Sequence, residues 1–192
     1  SEYLKAEVKR DGKLWMQEYK RGKPAKKVKA VGKARGTGTT ITFKPDTEIF
    51  DVTEFNWQHI IDHLRQQAYL NKGIKIKIFD ERIKGKLKSY EFYFEGGVKS
   101  YVKHLNANNE PKHPNVFYVD KEIIPNRNGS SNGDDDEGQS KAFKTDPVIV
   151  EVALQYVDDF RESVFSFANN IINPEGGMHL VGFRTALTRT LN

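Results

Sequence analysis

The sequence predicts an α+β fold, with antiparallel strands and amphipathic helices grouped in blocks. Three observations carry the prediction. Residues 3–10 and 13–21 are alternating segments that flank Asp11–Gly12, a strong short-range hairpin signal. Four strand-like segments precede the first helical pattern. Apolar residues at helical spacing then recur in separate runs, each next to further alternating strands.

The elements follow in order. Residues 26–33 and 39–44 read as two more strands, joined by the glycine-rich GKARGTG. Asp51 with Glu54 three residues later reads as a capping box. The helix expected after it runs to about Leu70, with Trp57, Ile60, Ile61, Leu64 and Ala68 on one face. Gly73 is a candidate left-handed cap. IKIKIF and KSYEFYF alternate, which predicts two antiparallel strands joined around Gly85. GGVKSYVKHLN predicts a short helix with Val98, Tyr101, Val102 and Leu105 on one side. ANNEPKHPN, with two prolines and three asparagines, reads as a linker and a domain boundary near residue 109. NVFYVD reads as a strand. A polar, glycine-rich stretch within about 121–147 reads as a disordered insertion. Residues 148–157 and 162–168 are expected to pair as strands, and a last helix is expected from about Met178.

Composition limits the function classes. The chain has 192 residues, of which 37% are hydrophobic and 30% charged, enough for a core but not a rich one. No apolar run approaches the roughly 20 residues of a membrane helix, so no membrane partner is expected. The start lacks a signal-peptide core and an initiator Met. We therefore expect a cytoplasmic protein whose first residue is not the native start. The absence of cysteine excludes disulfide scaffolds, Cys-zinc sites and thiol catalysis. Residues 1–33 hold 11 Lys/Arg against Glu2, Glu7, Asp11 and Glu18, a local balance of 11 − 4 = +7. A basic strand ribbon can track a phosphate backbone, or simply form a solvated outer face.

GTGTTITF, residues 36–43, is the first candidate site. In a strand Thr39 and Ile41 point to one face. A small hydroxyl beside a branched apolar side chain can line a flat heteroaromatic pocket. Gly36 and Gly38 let the backbone come close. No Gly-Lys-Ser/Thr follows, so this is not a phosphate loop. EGG at Glu95–Gly97 and Glu175–Gly177 precedes a helix each time, which suits strand-to-helix turns. Neither glutamate has a partner at catalytic spacing.

Metal signals are weak. His59 and His63 have zinc-ligand spacing but no Glu or Cys in register. The acidic run Asp134–Glu137 lacks the ligand spacing of a calcium loop. In the last helix, Leu180, Phe183, Leu187 and Leu191 form a stripe. Arg184 stands about 40° from Leu180. An arginine there must be paired or face a wet cavity. Arg189 lies on the opposite side, and His179 reads as a structural hydrogen-bonding residue.

GTGTTITFKPDTEIF, EFYFEGGVKSYVKHLN, VEVALQY, SFANNI and EGGMHLVGFRTALTRTLN occur in that order. Together they resemble the ATPase subunits of bacterial type IIA topoisomerases, namely the B subunit of DNA gyrase and its relative in topoisomerase IV. The resemblance runs from about Tyr3 to Asn192, apart from the insertion. It implies that residues 1–109 are the C-terminal part of a GHKL ATPase domain. Residues 110–192 would begin a transducer domain with a left-handed βαβ crossover.

By resemblance, Gly38, Thr39 and Ile41 belong to the adenine pocket, where the threonine acts through a water and a buried aspartate. Arg10 matches an arginine at the pocket mouth that also meets aminocoumarins. Arg184 matches a transducer arginine facing the cavity through which DNA passes. The implied cofactors are ATP and Mg2+, with the metal ligands and general base outside this chain. The implied partners are DNA, a gyrase A-type subunit and a second B subunit that dimerises on ATP binding. Met178 departs from the family's usual threonine. The chain is thus expected to be an internal fragment, inactive as an ATPase alone. The alternative is a non-catalytic DNA-binding or interaction module built on the basic ribbon.

Overall fold

The computed structural model describes residues 1–124 and 146–192. They form two compact units, Ser1–Asn56 and Trp57–Asn192, so the second unit spans the expected boundary near residue 109.

The first unit is a sheet. β1 (Tyr3–Arg10) and β2 (Lys13–Lys20) pair antiparallel from Tyr3↔Lys20 to Arg10↔Lys13. Asp11 (φ 53°) and Gly12 (φ 72°) both take the left-handed conformation, which matches the twist of the flanking strands. A second such turn, at Arg21 (φ 50°) and Gly22 (φ 77°), leads into a short β3 (Lys23–Pro24). The sequence does not signal that turn, because arginine rarely adopts positive φ. β4 (Lys29–Lys33) pairs with the other half of β2, with a register shift between Leu14 and Trp15. β5 (Gly38–Lys44) pairs with β1 on the opposite side. The chain between β4 and β5 passes the β1–β2 turn, where Ala34 N donates to Gly12 O (3.0 Å).

The second unit starts with α1 (Trp57–Leu70). The helix begins six residues after Asp51, so the expected capping box does not form. Phe55 instead lies edge-on against Phe43 of β5, with ring centroids 6.1 Å apart, and the chain before Trp57 is not helical. The predicted apolar face holds: Ile61 and Ala68 are buried, and Trp57, Ile60 and Leu64 pack on the same cluster. After the helix, Gly73 has φ 77°. β6 (Lys75–Asp80) and β7 (Lys88–Tyr93) form the expected hairpin and add Ile78 and Phe92 to the core. α2 (Gly97–Leu105) follows. Tyr69 of α1 stacks between Phe94 (centroids 3.7 Å) and Tyr101 of α2 (5.0 Å). Burial raises the pKa of the Tyr69 phenol.

β8 (Phe117–Ile123) pairs with β9 (Val148–Leu154) from Phe117↔Leu154 to Ile123↔Val148. This corrects the expected pairing of 148–157 with 162–168. In the latter segment only β10 (Phe167–Ala168) forms, and it pairs with β11 (Ile171–Ile172). Asn169 (φ 49°) and Asn170 (φ 63°) make the two-residue turn, so the local hairpin takes β10. Residues 121–123, expected to open the insertion, complete β8. The rest of the insertion through Thr145, with the acidic run Asp134–Glu137, lies outside the described residues. α3 (Gly177–Leu191) closes the unit near its expected start. The α+β expectation therefore holds. Among the described residues, no helix is long and apolar enough to cross a membrane.

Candidate functional site

Side chains alternate across the sheet of the first unit, and the pairing register sorts them. Leu4, Ala6, Val8 and Arg10 of β1 share one face with Trp15 and Tyr19 of β2 and with Thr39, Ile41 and Phe43 of β5. Val8 is directly opposite Thr39, Ala6 opposite Ile41, and Lys9 opposite Gly38. Arg10 is the next residue beyond Gly38 on the neighbouring strand. Arg10, Thr39 and Ile41 thus gather at one end of one face, with Gly38 beside Thr39 in the strand and in register with Lys9. The surface is largely apolar, carries the hydroxyls of Thr39 and Tyr19 and the amide of Gln17, and ends in the cations Arg10 and Lys13. Ile41 is 52% exposed, so the face stands open. Arg10 is exposed and its Nε lies 3.5 Å from Asp11 Oδ2. Such a surface offers packing to one side of a flat ring and a hydrogen bond at its edge.

A cavity of ≈ 450 Å³ in the same unit lies elsewhere, lined by Glu2, Lys20, Arg21, Asp46, Thr47 and Glu48. Asp46 is buried (2% exposed) and meets Arg21 Nε at 2.8 Å, while Arg21 Nη1 meets Glu48 at 2.6 Å. Glu48 N donates to Asp46 Oδ1 (3.1 Å), and the Asp46 carbonyl accepts from Ile49 N and Phe50 N (3.0 Å each). The carboxylate fixes the positive-φ turn at Arg21 and the chain after β5, which is a structural task. Sequence reasoning missed this pair, since 25 residues separate its members.

In the second unit a polar cluster joins the chain just after α1 to β8 and β9. Lys72 Nζ lies 2.5 Å from Glu151 Oε1 and donates to Tyr118 Oη (2.5 Å). Tyr118 donates to Glu151 Oε1 (2.6 Å). These contacts raise the pKa of the Lys72 ammonium, Glu151 foremost. Burial, then Glu151, raises that of the Tyr118 phenol. The Lys72 stem passes over Gly97 (φ 54°), where a Cβ would come within 2.5 Å of Lys72 Cε. Both EGG segments are thus backbone turns: Gly97, Gly176 (φ 82°) and Gly177 (φ 64°) all have positive φ. The Ser166 hydroxyl donates to Gly176 O (2.9 Å) and so accepts from His179 Nε2, the structural role expected of that histidine.

Arg184 lies on α3 beside the half-buried Leu180, Phe183 and Leu187. Its Nη2 donates to Glu162 Oε2 (3.0 Å), and both side chains are largely exposed. The arginine is therefore paired and in water. Among the described residues, no three His, Asp or Glu side chains come together as a group able to hold a metal ion.

Comparison with known proteins gives a consistent result. The family model described as DNA gyrase B matches residues 97–192. The chain is 43% identical over 192 residues to the DNA gyrase B protein of Clostridium acetobutylicum, covering 100% of this chain and 26% of that protein. It is 42% identical over 190 residues to the DNA gyrase B protein of Bacillus mycoides, covering 98% of this chain and 41% of that one. It is similar to the crystal structure of the 43K ATPase domain of Thermus thermophilus gyrase B in complex with an aminocoumarin. There the TM-score is 0.74 at 31% identity, over 100% of this chain and 46% of that chain. The chain thus spans less than half the length of each of these relatives.

Proposed function

The chain belongs to the DNA gyrase B family, and on that premise we propose that it is part of the ATPase component of a type IIA DNA topoisomerase. The complete enzyme couples ATP binding and hydrolysis to DNA strand passage and supercoiling. In this reading, residues 1–109 are the C-terminal part of a GHKL ATPase domain. Residues 110–192 open a transducer domain, to which the left-handed βαβ crossover belongs. The observation that carries the reading is the identity of 43% along the whole chain to a gyrase B protein.

The residues fit one wall of an adenine site. Ile41 and Ala6 supply apolar surface to the ring, the Thr39 hydroxyl supplies a hydrogen bond, and Gly38 keeps the backbone approachable. Arg10, at the end of that face, supplies positive charge at the mouth. ATP with Mg2+ brings the phosphoryl group; no residue of this face is a metal ligand or a general base. Arg184, paired with Glu162 on a wet surface, faces the DNA cavity. The partners are DNA, a gyrase A-type subunit and a second B subunit joined on ATP binding, all in the cytoplasm. A non-catalytic DNA-binding module is the second reading, favoured by the basic ribbon alone.

The test uses the complete ATPase subunit with its A-type partner and relaxed plasmid. ATP-dependent negative supercoiling is expected. Thr39→Ala should weaken ATP binding about tenfold, the loss of one hydrogen bond of about 1–1.5 kcal/mol. A complete subunit with no ATP binding and no supercoiling would refute the proposal.

A further inference from the structure

From Tyr19 to Pro45 the chain contains no Asp or Glu. It contains nine Lys/Arg, and the structure shows what holds them. Arg21 pairs with Asp46 and Glu48, and Lys44 with Glu2. Lys20, Lys23, Lys26, Lys27, Lys29, Lys33 and Arg35 have no carboxylate within ion-pair distance among the described residues, and every residue from Lys20 to Lys33 is exposed, as is Arg35. These residues, apart from Lys20 of β2 and Arg35 beyond β4, lie on the outer edge of the sheet. β3 and β4 both pair with β2 on the inside and, among the described residues, with nothing on the outside. Gln17 Nε2, donating to Lys26 O (2.5 Å), ties the loop between β3 and β4 to the sheet.

An edge of this kind has two features that suit a phosphate backbone. Side chains alternate across the strand, so the lysines rise on both faces and flank the edge. The outward N–H groups of β4 have no partner among the described residues, and backbone N–H groups are ordinary phosphate partners. β2, along which β3 and β4 are laid, is eight residues or about 26 Å long. That is about eight base-pair steps of a duplex rising about 3.4 Å each.

We infer that the lysine edge formed by β3, β4 and their connecting loop is a sequence-independent binding surface for duplex DNA. It is distinct from the Arg184 surface on α3. The choice of DNA as the polyanion rests on the gyrase-family reading; the charge and the open edge do not.

The test measures binding of this chain to a 30-base-pair random-sequence duplex at about 50–200 mM salt. With four phosphates neutralised, log K falls with log salt at a slope of about −3.6, a weakening of about 150-fold across that range. The quadruple variant Lys26→Gln, Lys27→Gln, Lys29→Gln, Lys33→Gln should bring the slope above about −1. The matching Lys→Arg variant should keep the wild-type slope, and both should keep the wild-type circular dichroism. Four outcomes would overturn the inference. They are no binding at about 50 mM salt, an unchanged slope in the Gln variant, equal affinity for polyglutamate, or binding that survives the Gln variant but vanishes with Arg184→Gln. Supercoiling with the complete subunit is read separately, so either proposal can fail without the other.

Discussion

Replacing Gly97 with alanine separates a backbone cost from a packing cost at one position. Gly97 has φ 54°, in the left-handed region. An L-residue there costs about 1–2 kcal/mol, offset by about 0.4–1 kcal/mol from the stiffer unfolded chain. The net is about 1 kcal/mol. The added methyl would also lie 2.5 Å from Lys72 Cε and 2.7 Å from Lys72 Cγ. The lysine cannot simply swing away, because its ammonium is held by Glu151 and Tyr118. Displacing it adds about 1–2 kcal/mol of overpacking, and the part-exposed ion pair adds little more. The total is about 2–3 kcal/mol. Gly73→Ala is the control, since Gly73 has φ 77° but open space where its methyl would stand. It should cost only the backbone part.

The assay is urea unfolding followed by circular dichroism. With a slope of about 2 kcal/mol per molar, the midpoint falls by about 1–1.5 M for Gly97→Ala and by about 0.5 M for Gly73→Ala. Adding Lys72→Ala to Gly97→Ala should cost less than the sum of the two singles. Equal midpoints for the two glycine variants would refute the Lys72 contact as the reason for glycine at position 97.

Phe92, 4% exposed in the core, should cost about 3–5 kcal/mol as Phe92→Ala in the same assay. Asp46→Asn should cost about 1.5–3 kcal/mol, because it removes a charged partner of Arg21 at a buried position; equal stability would show that the pair does not hold the turn. The Arg82 guanidinium holds the Asp80 carboxyl down to about 2, from an ordinary value of 3.8. Its folded pKa is lowered, so its contribution is complete above about pH 4 and disappears as pH falls through about 2. The urea-midpoint difference between wild type and Asp80→Asn should therefore close over that window. In the complete subunit, Arg184→Gln should lower DNA-stimulated ATPase turnover while changing stability by less than about 0.5 kcal/mol, since the Glu162 pair is exposed.

Local chemistry made much of the fold legible. Asp11–Gly12 could only favour a tight hairpin. The alternation of IKIKIF against KSYEFYF set which residues of β6 and β7 face the core. The spacing of Ile61 and Ala68 placed them in the core of α1. The ordered blocks from GTGTTITF to GFRTALT carried the family likeness. Tertiary structure decided what no local pattern encodes. β9 pairs with β8 across an intervening stretch of more than twenty residues, while Asn169–Asn170 turns β10 back on β11. Asp46 is buried against Arg21, and Lys72 reaches Glu151 and Tyr118 from far along the chain. The same holds for the open face that joins Arg10 to Thr39 and Ile41, which exists only through the β1–β5 register. Turns and amphipathic faces depend on residues within a few positions, whose energies add locally. Strand partners and buried ion pairs depend on which distant segments meet, and a single residue's type does not specify that.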